Sequence, residues 1–208
     1  RVRREAFGGV ECLDLGPGDV EPHETAGRPP GGHLGEERAL PDEVGLREVH
    51  ETAEADPEGW WESWAQKLDW AEPWEKVLEW DAPWARWFVG GRLNVSHNCL
   101  DRHVAAGRGQ KVAYHWVGED GDKRTITYAD LLTRVATFAG ALKNLGVGKG
   151  DTVIIYMPMV PQAAIAMLSC ARLGAIHSVV FGGFAPAELA VRIDDAKPKL
   201  ILSASCGI

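Results

Sequence analysis

Residues 150–183, GDTVIIYMPMVPQAAIAMLSCARLGAIHSVVFGG, decide the fold. Residues 153–157 form a short apolar run rich in β-branched side chains, ended by Pro158 and Pro161, which predicts a buried strand. Residues 161–173 are apolar nearly all round, with proline at the start and Gly174 as a left-handed stop, which predicts a helix covered on most sides. Residues 175–181 read as a second buried strand. A strand, crossover helix and strand of this length form a parallel, right-handed unit. Ligands bind such sheets at the carboxyl ends of the strands. That end here carries Phe181, Gly182, Gly183 and Phe184, where missing side chains let a ligand approach the backbone.

Working outward, residues 128–145 repeat apolar positions at spacings of 3, 4 and 7, with Thr127 as N-cap and Asp130 completing a variant capping box. Residues 111–117 and 124–127 alternate as a hairpin around GEDGDK. GVGKGD precedes a strand, whereas phosphate-binding glycine loops follow a strand and open a helix, so it is read as a turn. Pro186 opens a further helix through about Asp195, and residues 199–203 form another strand.

Asn94 or Ser96 can cap a helix through about Val104. Cys99 and His103 then share a face, and two ligands without a third are read as core packing rather than a metal site. The nine tryptophans are the unusual count, eight of them falling in residues 60–87. Their spacing fits no single amphipathic stripe, and they are read as bulky anchors clamping a helical segment onto a larger domain rather than as an aromatic ligand platform. Residues 1–50 mix Gly, Pro, Glu and Arg with little periodicity and are expected to be an irregular or disordered leader.

The whole chain of 208 residues has 45% hydrophobic and 25% charged residues, ordinary for a globular domain. A net charge of −8, with the basic residues scattered, argues against nucleic-acid binding. No apolar run approaches the roughly 18 residues of a membrane span, so no membrane partner and a cytoplasmic location are expected. Cys12, Cys99, Cys170 and Cys206 form no C-x-x-C pair and are expected to be reduced. A nicotinamide-dependent dehydrogenase fits the α/β pattern but needs a G-x-G-x-x-G after the first strand, which is missing.

The succession DPEGWWESWAQKLDW, RWFVGGRLNVSHNCLDRHV, RTITYADLL, IYMPM, ARLGAIHSVVFGGF and PAELAVRIDDAKPK resembles the N-terminal part of short-chain acyl-CoA synthetases, the acetyl-CoA and propionyl-CoA synthetases of the AMP-forming adenylate superfamily. The resemblance covers residues 56–208. It implies an α/β fold: a Trp-rich helical cap segment over residues 51–92, then the start of the AMP-binding large domain, with parallel βαβ units, over residues 93–208. It implies an acid–thiol ligase that uses ATP and Mg²⁺ to make an acyl-adenylate, then transfers the acyl group to CoA. The partners are then acetate or propionate, ATP, CoA and the remaining C-terminal part of the same enzyme. Phe181, Gly182 and Gly183 would border the CoA nucleotide. No catalytic or metal residue is expected among residues 1–208, because the family's phosphate loop, Mg²⁺ residues and late catalytic lysine have no counterpart there. A non-catalytic remnant or CoA-nucleotide-binding interaction module is the alternative. YHWVGEDGDKRTITYADLL is closer to acetate-type members, whereas GFAPAELAVRIDDAKPK and SASCGI look more like the propionate type, and Ala185 stands where acetate-type members often have Ser.

Overall fold

The structure is a computed structural model describing residues 2–7, 10–15 and 43–204. The chain divides into two compact units, one of Arg1–Gly18, Asp69–Ala71 and Arg92–Ile208, the other of Asp19–Leu68 and Glu72–Gly91.

The larger unit is α/β. In chain order it holds strands β1 (Val2–Phe7) and β2 (Val10–Leu15), and later β5 (Val112–Val117), β6 (Lys123–Thr127), β7 (Thr152–Met157), β8 (Ile176–Phe181) and β9 (Leu200–Ser203). Its helices are α3 (Tyr128–Asn144), α4 (Pro161–Leu173) and α5 (Pro186–Ala196). The smaller unit holds helices α1 (Glu43–Ala55) and α2 (Pro57–Ala65) and strands β3 (Lys76–Asp81) and β4 (Trp84–Val89).

One five-stranded sheet runs in the order β1-β2-β9-β7-β8. β7 pairs in parallel with both β8 and β9. The period of two along β7 sends alternate side chains to opposite cores. Val153, Ile155 and Met157 join Leu142 of α3 and Ala166 and Cys170 of α4 on one face. Ile154, with Val180 and Ile201, meets Leu189 and Ile193 of α5 on the other. Cover on both faces explains why β7 reads as a continuous apolar run, but β8, expected to be a buried strand, lies at the sheet edge and leaves Ile176, Val179 and Phe181 exposed. A third cluster of Leu100, Ile126, Leu131, Val135 and Ile165 joins the β5–β6 hairpin to α3 and α4.

Local signals act as their chemistry requires. The Thr127 hydroxyl accepts from the Asp130 amide (3.2 Å) and donates to its carboxylate (2.7 Å), closing the capping box. Gly174 ends α4 at φ +70°, and the Ala175 amide donates to the Cys170 carbonyl (2.9 Å). GVGKGD is a turn: the Gly148 amide donates to Asp151 (2.8 Å), and Lys199 donates to the Gly146 carbonyl (2.6 Å) and the Asp151 carboxylate (2.9 Å). Lys199 and the Gly148 amide hold the Asp151 carboxyl below the usual range. Burial pushes the Cys170 thiol up to about 11 and makes it inert packing.

Several expectations need correction. The leader over residues 1–50 is not irregular where it is described: β1 and β2 form an antiparallel hairpin, β2 adds in parallel to β9, and α1 begins at Glu43. The remaining part of that expectation lies outside the described residues. The pairing of β2 with β9 left no local trace because Glu11 and Leu200 lie about 190 residues apart, whereas the β1–β2 hairpin carried a local signal, the Gly8-Gly9 pair between the two strands. Second, the Trp-rich segment is helical only through α2, where the Asp56 carboxylate accepts from the Gly59 amide (3.0 Å). Beyond it β3 and β4 pair as an antiparallel hairpin. Third, Trp80 and Trp84 are not buried anchors: they remain 67% and 73% exposed, because an isolated two-stranded ribbon has too few strands to enclose bulky rings on both faces. Trp61, Trp64 and Trp87 are exposed as well, at 50%, 42% and 42%, with Trp61 meeting Trp87 edge to face at 6.2 Å, while Trp74 meets Phe88 at 5.5 Å.

A bend of π-helical geometry replaces the regular helix expected after Asn94. Asn94 is its cap, accepting from the His97 amide (3.1 Å), while its side-chain amide donates to the Ala171 and Arg172 carbonyls that end α4. Ser96 is buried without a hydrogen-bond partner for its hydroxyl. Cys99 is exposed rather than packed in a core, and the His103 ring meets Tyr128 at 5.1 Å, tilted by 60°. Burial and the nearby Arg108 and Arg102 hold the His103 imidazole below its ordinary range.

The bend is tied to α4 by a two-pronged pair, Arg172 to Asp101 at 2.8 and 2.9 Å. Arg172 holds the Asp101 carboxyl below its ordinary value of 3.8. A folded-state pKa below the unfolded one gives stability that is complete above about pH 4 and is lost as pH falls through the depressed value. Asp101→Asn is therefore expected to destabilise by about 1.5–3 kcal/mol at pH 7, with the deficit shrinking below pH 4. Urea midpoints of both proteins from pH 2.5 to 7 check it, and a pH-independent difference would refute the assignment.

Candidate functional site

The loops leaving β7 and β8 depart in opposite directions. β7 leads to α4, on the face of Ile155, whereas β8 leads to α5, on the face of Ile154. Ligands of parallel sheets bind outside the carboxyl ends of the strands. Here the Met157-Pro158 link and the Phe181-Gly182 turn lie side by side at those ends.

Gly182 is the residue that lets these two loops touch. A Cβ there would stand 2.9 Å from both the Met157 carbonyl carbon and the Pro158 nitrogen, backbone atoms that cannot turn aside. A Cβ on Gly183 would meet the Phe181 ring at 2.6 Å. The turn closes through a bond from the Phe184 amide to the Phe181 carbonyl (3.0 Å). Phe181 is 58% exposed, and its ring meets Phe184 edge to face at 5.8 Å. An exposed aromatic face beside bare backbone is a surface suited to a purine and its sugar. The structure thus gathers Phe181, Gly182 and Gly183 at the carboxyl end of β8, beside that of β7.

On the β7 side, the Trp116 indole N–H donates to the Met159 carbonyl (2.8 Å), and the Arg124 guanidinium lies over the indole ring at 5.0 Å. This contact bounds a cavity of about 380 Å³ lined by Trp116, Val117, Gly118, Pro158 and Met159, with Glu119 and Asp120 beside them. Sequence reading placed Trp116 in a hairpin and missed the cavity. The one available signal was the departure from the Trp cluster, a single tryptophan standing alone in a polar hairpin.

A family model described as AMP-binding enzyme matches residues 101–206, and one described as acetyl-coenzyme A synthetase N-terminus matches residues 46–99. The chain belongs to the AMP-binding enzyme family. It is 51% identical over 159 residues to an acetyl-coenzyme A synthetase of Gemmatimonas aurantiaca, covering 76% of this chain and 24% of that protein. It is 50% identical over 185 residues to an acetyl-coenzyme A synthetase of Mycobacterium bovis, covering 88% of this chain and 28% of that one. The chain thus spans about a quarter of the length of these curated relatives. Among solved structures, acetoacetyl-CoA synthetase from Streptomyces lividans superposes with a TM-score of 0.70 at 27% identity, over 79% of this chain and 25% of that one. These likenesses agree with the adenylate-forming α/β fold expected from the sequence.

No helix among the described residues of this AMP-binding family member is long and apolar enough to cross a membrane.

Proposed function

We propose that this chain is the N-terminal part of a cytoplasmic acid–thiol ligase of acetyl-CoA synthetase type, and that the 181–184 turn receives the nucleotide of CoA. The carrying observation is the exposed Phe181 ring beside a glycine turn at the carboxyl end of β8, supported by about 50% identity to acetyl-coenzyme A synthetases. Phe181 offers its ring to the adenine, and Gly182 and Gly183 let the ribose and phosphates approach the chain.

ATP with Mg²⁺ supplies the activation of the carboxylate in such a ligase, turning a poor leaving group into AMP. The contribution of residues 43–204 is structural and binding: they build one wall of the CoA site and the sheet that carries it. Acetate is the acyl substrate proposed, in line with the relatives' names. Propionate is the second reading, favoured by Ala185, where α5 begins without a side-chain cap.

The test is ATP–pyrophosphate exchange driven by acetate or by propionate, and CoA titration, on the enzyme carrying this chain. Acetate-driven exchange with saturable CoA binding is the expected result. Exchange with propionate alone transfers the assignment to the second substrate. CoA binding without exchange supports a non-catalytic module, and absence of both overturns the proposal.

A further inference from the structure

We infer that Tyr156 and Arg192 are positioning residues that preset the 181–184 turn for its nucleotide, an inference that rests on the CoA reading above. Neither lies in the turn. Tyr156 ends β7 on the α5 face, and its phenol O–H donates to the Phe184 carbonyl (2.8 Å), crossing from one strand's end to the other strand's loop. Arg192 sits in α5, where one guanidinium nitrogen donates to the Glu188 carbonyl (2.7 Å) and to the Glu188 carboxylate (3.0 Å). So fixed, its guanidinium lies 4.8 Å above the Phe184 ring. That ring in turn meets Phe181 edge to face.

The contacts form one line from Glu188 through Arg192 and Phe184 to Phe181, with Tyr156 holding the backbone at Phe184. Ala185 gives this junction no side-chain cap, so these two groups take up the task of fixing it. An exposed ring that is already oriented loses less freedom when a base stacks on it, so presetting raises affinity without touching the ligand. The substrate activation step lies outside this line and is unaffected by it.

The experiment compares Tyr156→Phe, Arg192→Gln and Arg192→Lys with the parent enzyme, reading CoA affinity, acetate-driven ATP–pyrophosphate exchange and the thermal midpoint. Tyr156→Phe and Arg192→Gln are expected to weaken CoA about three- to tenfold, the loss of one hydrogen bond or one cation–ring contact, with exchange unchanged within about twofold. Arg192→Lys keeps the cation and is expected to recover part of the affinity. Gly183→Trp, which blocks the turn itself, separates the two levels. If it abolishes CoA binding while Tyr156→Phe and Arg192→Gln leave affinity intact, the positioning roles are wrong and the CoA site stands. If it too leaves CoA binding intact, the CoA reading falls and takes this inference with it. Equal losses in CoA affinity and exchange would show a general structural role and also overturn it.

Discussion

Gly182→Val is expected to weaken CoA binding by roughly 10- to 100-fold while leaving the far end of the sheet folded. The reason is where the added carbon goes. At 2.9 Å from two backbone atoms of the Met157-Pro158 link, it cannot be relieved by a side-chain rotation, so the turn must move away from β7. Overpacking of this kind costs about 1–3 kcal/mol, and about 1.4 kcal/mol corresponds to a tenfold change in affinity. Gly140→Ala is the matched control. Nothing lies within 4 Å of its Cβ position in α3, and removing glycine from a helix interior should stabilise by about 0.5–1 kcal/mol. CoA titration calorimetry on both variants decides the matter: unchanged affinity in Gly182→Val would refute both the crowding argument and the CoA assignment.

Ile155→Ala is expected to cost about 2–5 kcal/mol of folding stability, a large part of the roughly 5–15 kcal/mol that a domain has. Ile155 is fully buried in the cluster that includes Ala166 and Cys170 of α4, on a strand hydrogen-bonded on both sides. No neighbour can follow the deleted atoms without leaving a strand or helix position, so the cavity persists. The denaturation midpoint measures the loss. A cost under about 1 kcal/mol would mean that the core relaxes around the hole, contrary to this packing.

The α/β part was legible because its signals are local and redundant. β7, α4 and β8 each carry an apolar period, a proline or glycine boundary and a compatible length, and the capping residues Asp56 and Thr127 act as their side chains predict. What the sequence hid was set partly by distant partners and partly by local hairpins whose composition masked them. β2 takes its strand character from β9, and β3 and β4 pair where tryptophan content suggested helical pieces. The π-helical bend after Asn94 follows from the pull of α4's end on Asn94 and Asp101, contacts more than 70 residues apart in sequence. The glycine turn was readable as a ligand edge, since two glycines after a strand mark close approach. The groups that hold it were not, because Tyr156 and Arg192 look like an ordinary strand tyrosine and helix arginine until the fold brings them to Phe184.

The order β9-β7-β8 also has a consequence in time. A ribosome delivers β7 first, β8 about 24 residues later and β9 after a further 24 or so, yet β7 ends in the middle. This part of the sheet therefore grows outward from its oldest strand, and the 181–184 turn with the α5 residues that hold it needs nothing made after Arg192. The nucleotide-facing turn is complete while β9, the strand that flanks β7 on its other side, is still being synthesised.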